Sequence, residues 1–395
     1  MDQIADLTQS IENKIDRSTW QTWKFSDLAE NIVEKVVPKN SGLEHYIGLE
    51  HLDSGSLHIK RFGETASLVG DKLKIYKDDL IFAKRNAYLK RVAIAEFDAV
   101  ASAHSLVLRA KPENVLPEFL PFFTLSETFW EKAIEISVGS LSPTINWKAL
   151  AKQEFLLPPK DQQAQLAELL WALDNVLEKL IVLSIKNDLL AHSLVNYFFK
   201  RNKLSNSSLE TIADIKYGIT INSRRNSLGF EIPYLRVANV SRDCITLDEL
   251  KTLECTQDEI NRYTLENKDV LIVEGHADVS QIGRAALWID NGVTMLHQNH
   301  IIRARCGGDL LPEILVSYIN SSFGKSYFQH NAKSTSGLNT INSSVVKKLK
   351  VPIIDMKLQN GFLQKKEKYD INAKVINQHI LNTKKTLNSV INHIF

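Results

Sequence analysis

A chain of 395 residues can bury two substantial cores, and its 44% apolar and 24% charged content is that of an ordinary globular protein. No run approaches the about 18 consecutive apolar residues of a membrane span, the N-terminus lacks the basic and apolar regions of a secretory signal, and three cysteines without a C-x-x-C pair argue against a disulfide framework. A reducing cytoplasm is therefore the expected compartment. The net charge of +2 is small, but cations gather locally at Lys84-Arg85 with Lys90-Arg91, Arg224-Arg225, Arg303 with Arg305, and Lys347-Lys348 with Lys350. Each cluster reads equally as a solvated face or a nucleic-acid contact.

In chain order, Glu44–Leu52, Leu57–Phe62, Lys74–Ala83, Val92–Glu96 and Ser105–Ala110 read as short strands separated by Gly, Asp and Asn signals. A helical stretch, Glu113–Ile136, follows Pro112, which suits a first helical turn. After a loop with Gly139 come Thr144-Ile145-Asn146 and a short strand ending near Pro158. From Asp161 to about Lys200 no Gly or Pro intervenes. Two rows there recur every seven positions: Leu166, Leu173, Leu180, Asn187 and Leu194, and Leu169, Val176, Leu183, Leu190 and Tyr197. The spacing predicts a long helix with an a/d seam, in which Asn187 either fixes register or marks a solvated end. The layout then repeats with strands Ile232–Val240, Asp269–Glu274, Arg284–Ile289 and His300–Arg305, a helix Leu311–His330, a loop with Gly337, and Thr340-Ile341-Asn342 before Pro352. A second helical stretch, Phe362–Ile394, carries rows Phe362, Tyr369, Ile376, Thr383, Val390 and Ile380, Leu387, Ile394.

The repetition is one of residues as well as of layout. Thr144-Ile145-Asn146 returns 196 positions later (340 − 144), and the same offset takes Lys152 to Lys348, Phe155 to Val351, Leu157 to Ile353 and Gln163 to Gln359. Upstream, Tyr46-Ile47-Gly48-Leu49 echoes Tyr234-Leu235-Arg236-Val237, and Asp79-Leu80-Ile81-Phe82 echoes Asp269-Val270-Leu271-Ile272. Such a period is a domain plus a connector rather than a solenoid unit. Either long helix alone would expose its apolar stripe, so pairing them, antiparallel under near two-fold symmetry, is the economical solution. A helix of about 40 residues is about 60 Å long. One turn of B-DNA is about 34–36 Å, so two domains on such a pair could reach separate groove segments.

This order resembles the specificity subunit of type I restriction-modification systems, from about Trp20 to the C-terminus. A strand-rich domain leads through a Gly-to-Thr-Ile-Asn element to Leu157-Pro158-Pro159-Lys160-Asp161-Gln162-Gln163 opening a long helix, and the whole arrangement recurs. The first copy keeps the family's Pro-Pro and final Gln, with Gln162 at the Glu position; the second departs to Val351-Pro352-Ile353-Ile354-Asp355 and Gln359. Pro233–Val240 and Lys268–Ile272 are similar to strand motifs of the family's target-recognition domains. The resemblance implies an α+β fold of two similar mixed α/β target-recognition domains, 1–157 (with a short N-terminal helix) and 204–354. Between them it implies a pair of long antiparallel coiled-coil helices, 158–203 and 355–395. It further implies a non-catalytic DNA sequence-recognition subunit, each domain reading one half of a bipartite site in double-stranded DNA. The helix pair would set the spacing and dock two modification (methyltransferase) subunits. No cofactor is expected on this chain; S-adenosylmethionine would sit on the modification subunits, and Mg2+ and ATP on restriction (translocase/nuclease) subunits.

The residues themselves lack recognisable catalytic chemistry. The single Pro-Pro, in Leu157-Pro158-Pro159-Lys160, has the wrong neighbours for the base-holding loop of an adenine-N6 methyltransferase, and no G-x-G-x-x-G follows a strand. Gly324-Lys325-Ser326 lacks the first P-loop glycine, Ile319 standing in its place, and His297-x-x-His300 has no companion at zinc spacing. Glu12-Asn13-Lys14 and Glu266-Asn267-Lys268 lack the Pro-Asp that precedes such motifs in many nucleases. DNA readout needs polar side chains that loops aim at base edges, with other contacts on phosphates. In the first domain Arg85, Asn86 and Tyr88 are the expected base readers, with Lys84, Lys90 and Arg91 nearer phosphates and Ser140 in a neighbouring loop. In the second, the less basic Glu274–Gln281 loop offers His276 and Gln281; Arg224, Arg225, Gln298, Asn299, His300, Lys333 and Ser336 are further candidates. Each is as readily an ordinary surface or turn residue. Two other readings stay open: a self-contained restriction or modification enzyme with an unrecognised active site, and a protein-interaction hub.

Overall fold

The computed structural model describes residues 17–202, 205–221, 229–335 and 337–395. The candidate positions Arg224, Arg225 and Ser336, and the expected short N-terminal helix, lie outside the described residues. The chain divides into two units, one of the described residues up to Val182 with Asn377–Phe395, the other Leu183–Ile376. Among the described residues no helix is long and apolar enough to cross a membrane.

The first unit is built on an antiparallel sheet of Ala29–Asn31 (β1), Leu80–Ala83 (β2), Val92–Ile94 (β3) and Ser105–Ala110 (β4), in the order β1-β4-β2-β3. All four residues of β2 are buried, because both faces of the sheet are covered. Alternate side chains go to different cores. Leu80, Phe82, Leu106 and Leu108 join Phe25, Phe129 and Trp130, whereas Ile81, Ala83 and Val107 join Ile47, Ile75 and Ala101 of a second, five-stranded sheet. The second unit has the same plan: Ala213–Tyr217 (β5), Val270–Val273 (β6), Ala285–Leu287 (β7) and Ile301–Cys306 (β8) lie in the order β5-β8-β6-β7. Here Val270, Ile272 and Ile302 meet Ile314, Ile319 and Phe328, while Leu271, Val273 and Ile301 meet Leu235 and Trp288. Each unit also carries the same short parallel pairing, Ile47 with Ala101 and Leu235 with His297. The α+β class with two similar modules is confirmed.

Two helices, Lys160–Arg201 (α1) and Met356–Ile394 (α2), run 42 and 39 residues. Within the first unit Leu166, Leu170 and Leu177 of α1 share a core with Leu387, Val390 and Ile394 of α2. Within the second, Leu194, Phe198 and Phe199 of α1 share one with Phe362 of α2, the Phe198 and Phe362 rings stacking at 4.2 Å. The early part of each helix thus meets the late part of the other, which is the antiparallel pairing expected. Asn187 is buried and donates its amide to the Tyr369 carbonyl of α2 at 3.1 Å, so it faces the partner helix rather than solvent.

The heptad reading of α1 needs a correction. Val176, Leu183, Leu190 and Tyr197 of its second row are exposed, and the inward face instead carries Gln163, Leu166, Ala167, Leu170, Asp174, Leu177 and Asn187. A helix of 3.6 residues per turn drifts off a strict seven-residue row, and the polar or small residues on the true inner face escape a count of apolar side chains.

Gln163 and Gln359 do the same work at the start of the two helices. Buried Gln163 accepts the Leu116 N–H at 2.8 Å and donates to the Pro158 carbonyl at 2.9 Å; buried Gln359 accepts the Leu311 N–H at 3.0 Å and donates to the Ile354 carbonyl at 2.7 Å. Gln163→Leu leaves a donor and an acceptor unpaired out of water, so urea unfolding should show a loss of about 2–4 kcal/mol. A midpoint equal to that of the parent chain would show that the glutamine does not carry this joint.

Candidate nucleic-acid interface

Three loops converge beyond one end of the central sheet in each unit. In the first, Lys84 follows β2, its N–H bonds the His104 carbonyl at 3.3 Å, and its carbonyl accepts the Ile145 N–H at 2.8 Å. In the second, Glu274 follows β6, its N–H bonds the His300 carbonyl at 3.0 Å, and its carbonyl accepts the Ile341 N–H at 2.9 Å. The repeated Thr-Ile-Asn element is explained by this geometry. Thr144 and Thr340 bridge to Arg85 and Gly275, Ile145 and Ile341 are buried, and Asn146 and Asn342 cap the helices that follow.

In the first unit Arg85 is exposed and makes no hydrogen bond or ion pair among the described residues. Beside it Asn86 holds a left-handed backbone (φ 53°) and accepts from the Ser142 hydroxyl at 2.9 Å. Tyr88 is 59% exposed, and Ser140 is exposed next to Leu141. Lys84 donates to the Ala103 carbonyl at 2.9 Å, and burial, then Arg85, lower its pKa. The remaining cations are committed to the fold. Lys90 pairs with Glu127, and Arg91 donates to the Leu49 carbonyl at 2.7 Å with its Nε buried. His104 was not singled out by the sequence reading. It is exposed, and desolvation followed by Arg85, Lys84 and Lys72 lower its pKa. It stands 196 positions before His300 (300 − 104), so the repeat offset itself would have found it.

In the second unit Asn299 and His300 line a cleft of about 540 Å³ with Lys216, Tyr217, Thr220, Arg262 and Glu274. The His300 Nδ1 lies 2.7 Å from the Glu274 Oε2. Gln298, half-buried, bridges to Ile219. His276 pairs with Asn339, and exposed Lys333 with Thr340, in one small sheet. The His276 Nδ1 accepts the Asp278 N–H at 3.0 Å, and the Gln281 amide donates to the Ser280 hydroxyl at 3.3 Å. His297 lies apart from these groups. It is buried, and burial, then Arg303, push its pKa down to about 4. Among the described residues no group of three or more His, Cys, Asp or Glu side chains is placed to hold a metal ion.

One sheet module is thus used twice, with three loops gathered at matching edges and different side chains on them. Residues 17–190 match the family model of the type I restriction modification DNA specificity domain. The chain is thus similar to specificity subunits of type I restriction-modification systems. It is 22% identical over 349 residues to the EcoKI specificity subunit of Escherichia coli (strain K12), covering 82% of this chain and 74% of that one. To the StySPI specificity subunit of Salmonella potsdam it is 23% identical over 354 residues, with the same coverage of 82% and 74%. The fold is shared with the type I restriction-modification S subunit from M. genitalium (TM-score 0.55, 13% identity, 97% of this chain and 98% of that one). It is also shared with a chain solved in work on assembly and conformational transition of a type I R-M system (TM-score 0.60, 16% identity, 95% and 97%).

His297 yields a pH test. Folding lowers its pKa from 6.5 to about 4, so between these values the unfolded chain binds the extra proton. Stability is therefore full above pH 6.5 and is lost as the pH falls towards 4. His297→Leu should remove this dependence, gaining about 2 kcal/mol more at pH 5 than at pH 8 relative to the parent in urea titrations. Parallel stability curves for the two proteins would contradict the assignment.

Proposed function

We propose that the chain reads a two-part site in double-stranded DNA, each unit contacting one half, while the helix pair sets the gap and docks two modification subunits. The observation that carries this reading is the matched three-loop edge. The skeleton beneath it is the same in both units, yet Lys84, Arg85 and Asn86 stand where the second unit has Glu274, Gly275 and His276. One scaffold presenting two chemistries suits two different half-sites. The spacer role draws on α1 and α2, whose 42 and 39 residues run without a break. The exposed apolar side chains of Leu183, Leu189 and Leu190 on α1 suit docking of another protein. In this reading the chain recognises DNA without catalysis of its own. S-adenosylmethionine belongs to the modification subunits, and Mg2+ and ATP to restriction subunits, all in the cytoplasm.

The bipartite reading is checked by mapping methylation in cells with and without this gene: a two-part motif should vanish, and loss of one uninterrupted motif would refute it. Arg85→Ala should cost about 1–3 kcal/mol at one base position of one half-site and leave the rest of the motif unchanged. A loss equal across all sequences, with a shallower salt dependence, would place Arg85 on phosphate instead.

A further inference from the structure

We infer that Glu274 is the specificity-determining residue of the second unit and that it reads the amino group of a cytosine. This rests on the proposal that the unit binds DNA, and it assigns the base chemistry which that proposal leaves open.

The first observation is placement. Glu274 follows β6 at the position Lys84 takes after β2, bonded on both sides to the same two neighbouring loops. Its side chain is 18% exposed, so it is largely enclosed yet reachable from the cleft. One carboxylate oxygen, Oε2, is held by the His300 ring at 2.7 Å, and no described residue donates to the other. The carboxylate is thus fixed in orientation, and among the described residues its Oε1 has no donor.

The second observation is the company it keeps. Lys216 and Arg262 line the same cleft. Lys216 pairs with Asp214 at 3.1 Å, whereas Arg262 lies over the Tyr263 ring and suits a phosphate, which positions a protein on a duplex without reading it. A carboxylate turned towards DNA is repelled by the backbone and loses hydration on binding, a cost that a donor on the DNA would offset. Base edges in the major groove offer two amino donors, cytosine N4 and adenine N6. The adenine group stands beside the N7 acceptor, whose lone pair opposes a carboxylate; the cytosine group has no acceptor on that side. Cytosine is therefore the matched base.

The first unit inverts this chemistry. Exposed Arg85, next to Lys84, is a donor only, and its natural target is the paired acceptors O6 and N7 of guanine. In this reading the two units recognise opposite partners of a G·C pair from the same loop of the scaffold.

The test is selection of duplexes from a randomised double-stranded library by the full-length chain, its Glu274→Gln variant and its Glu274→Ala variant, with thermal unfolding to show that all three are folded. The parent should select cytosine at one position of one half-site. The Gln variant should turn that position towards adenine by roughly tenfold, since a carboxamide pairs with N6 and N7 together, and the Ala variant should lose preference there. In both variants the other half-site should be unchanged. An unaltered motif, or an equal loss on every sequence, overturns the inference while leaving bipartite recognition standing. If the parent itself selects no two-part motif, the underlying proposal fails and this one with it.

Discussion

Gln163 and Gln359 tie the start of each long helix to the module that precedes it. Each side chain binds an N–H from the loop after the sheet and the carbonyl of the residue two positions ahead of the helix, at distances of 2.7–3.0 Å. Both amides are buried, so a broken joint would leave polar groups without water to replace it. The residues around the glutamines differ. The first helix is preceded by Pro158-Pro159, whereas in the second Asp355 accepts the Lys357 N–H at 2.8 Å and caps the helix start. The two helices thus start differently but are held by the same glutamine bonds.

A similar division between fixed and variable runs along the central strands. Asp79 and Asp269 are buried at the entrance to β2 and β6, each held by two bonds from one guanidinium: Arg109 at 2.8 and 3.0 Å, and Arg305 at 2.7 and 2.8 Å. Each also accepts a backbone N–H, from Tyr76 at 2.9 Å or Glu266 at 2.8 Å. A buried carboxylate persists when bonded in this bidentate way, and removing one partner would strand the other. The opposite end of the same strand carries Lys84 in one unit and Glu274 in the other. There the backbone bonds to the neighbouring loops supply the shape, so the side chain is free to change sign without altering the scaffold.

The duplication, the α+β class and both long helices were legible because they depend on apolar periodicity and on residues at a fixed offset. The Thr-Ile-Asn element was visible for the same reason: its isoleucine is core and its asparagine is a cap, both local requirements. The inner face of α1 was not legible, since Gln163, Asp174 and Asn187 point inward to polar partners that only the fold supplies. Asp174, for example, meets His58 at 2.7 Å, 116 positions away in sequence. The sequence shows which loops follow the strands, but not which of their side chains the fold leaves available. Lys90 and Arg91 look like Arg85 in sequence, yet Glu127 and the Leu49 carbonyl claim them, and only distant contacts separate a cation that is spent from one that is available.

Those distant contacts also explain why two ends of the chain enter one unit. In the second unit Asn196 of α1 accepts the Ser322 N–H at 3.0 Å; in the first, Asn392 of α2 accepts the Glu127 N–H at 2.9 Å. The two asparagines are 196 positions apart (392 − 196), the offset of the whole repeat. Each unit is therefore closed by the late part of a long helix, and for the first unit that helix belongs to the second copy. Leu387, Val390, Ile391 and Ile394 are full members of its core, and Arg17 and Thr128 bond the carbonyls of His393 and Phe395. Bringing chain ends together costs loop-closure entropy, but that cost grows only slowly with loop length. The buried apolar side chains of α2 offset it, so the repeat closes each module with a helix end instead of leaving one core open.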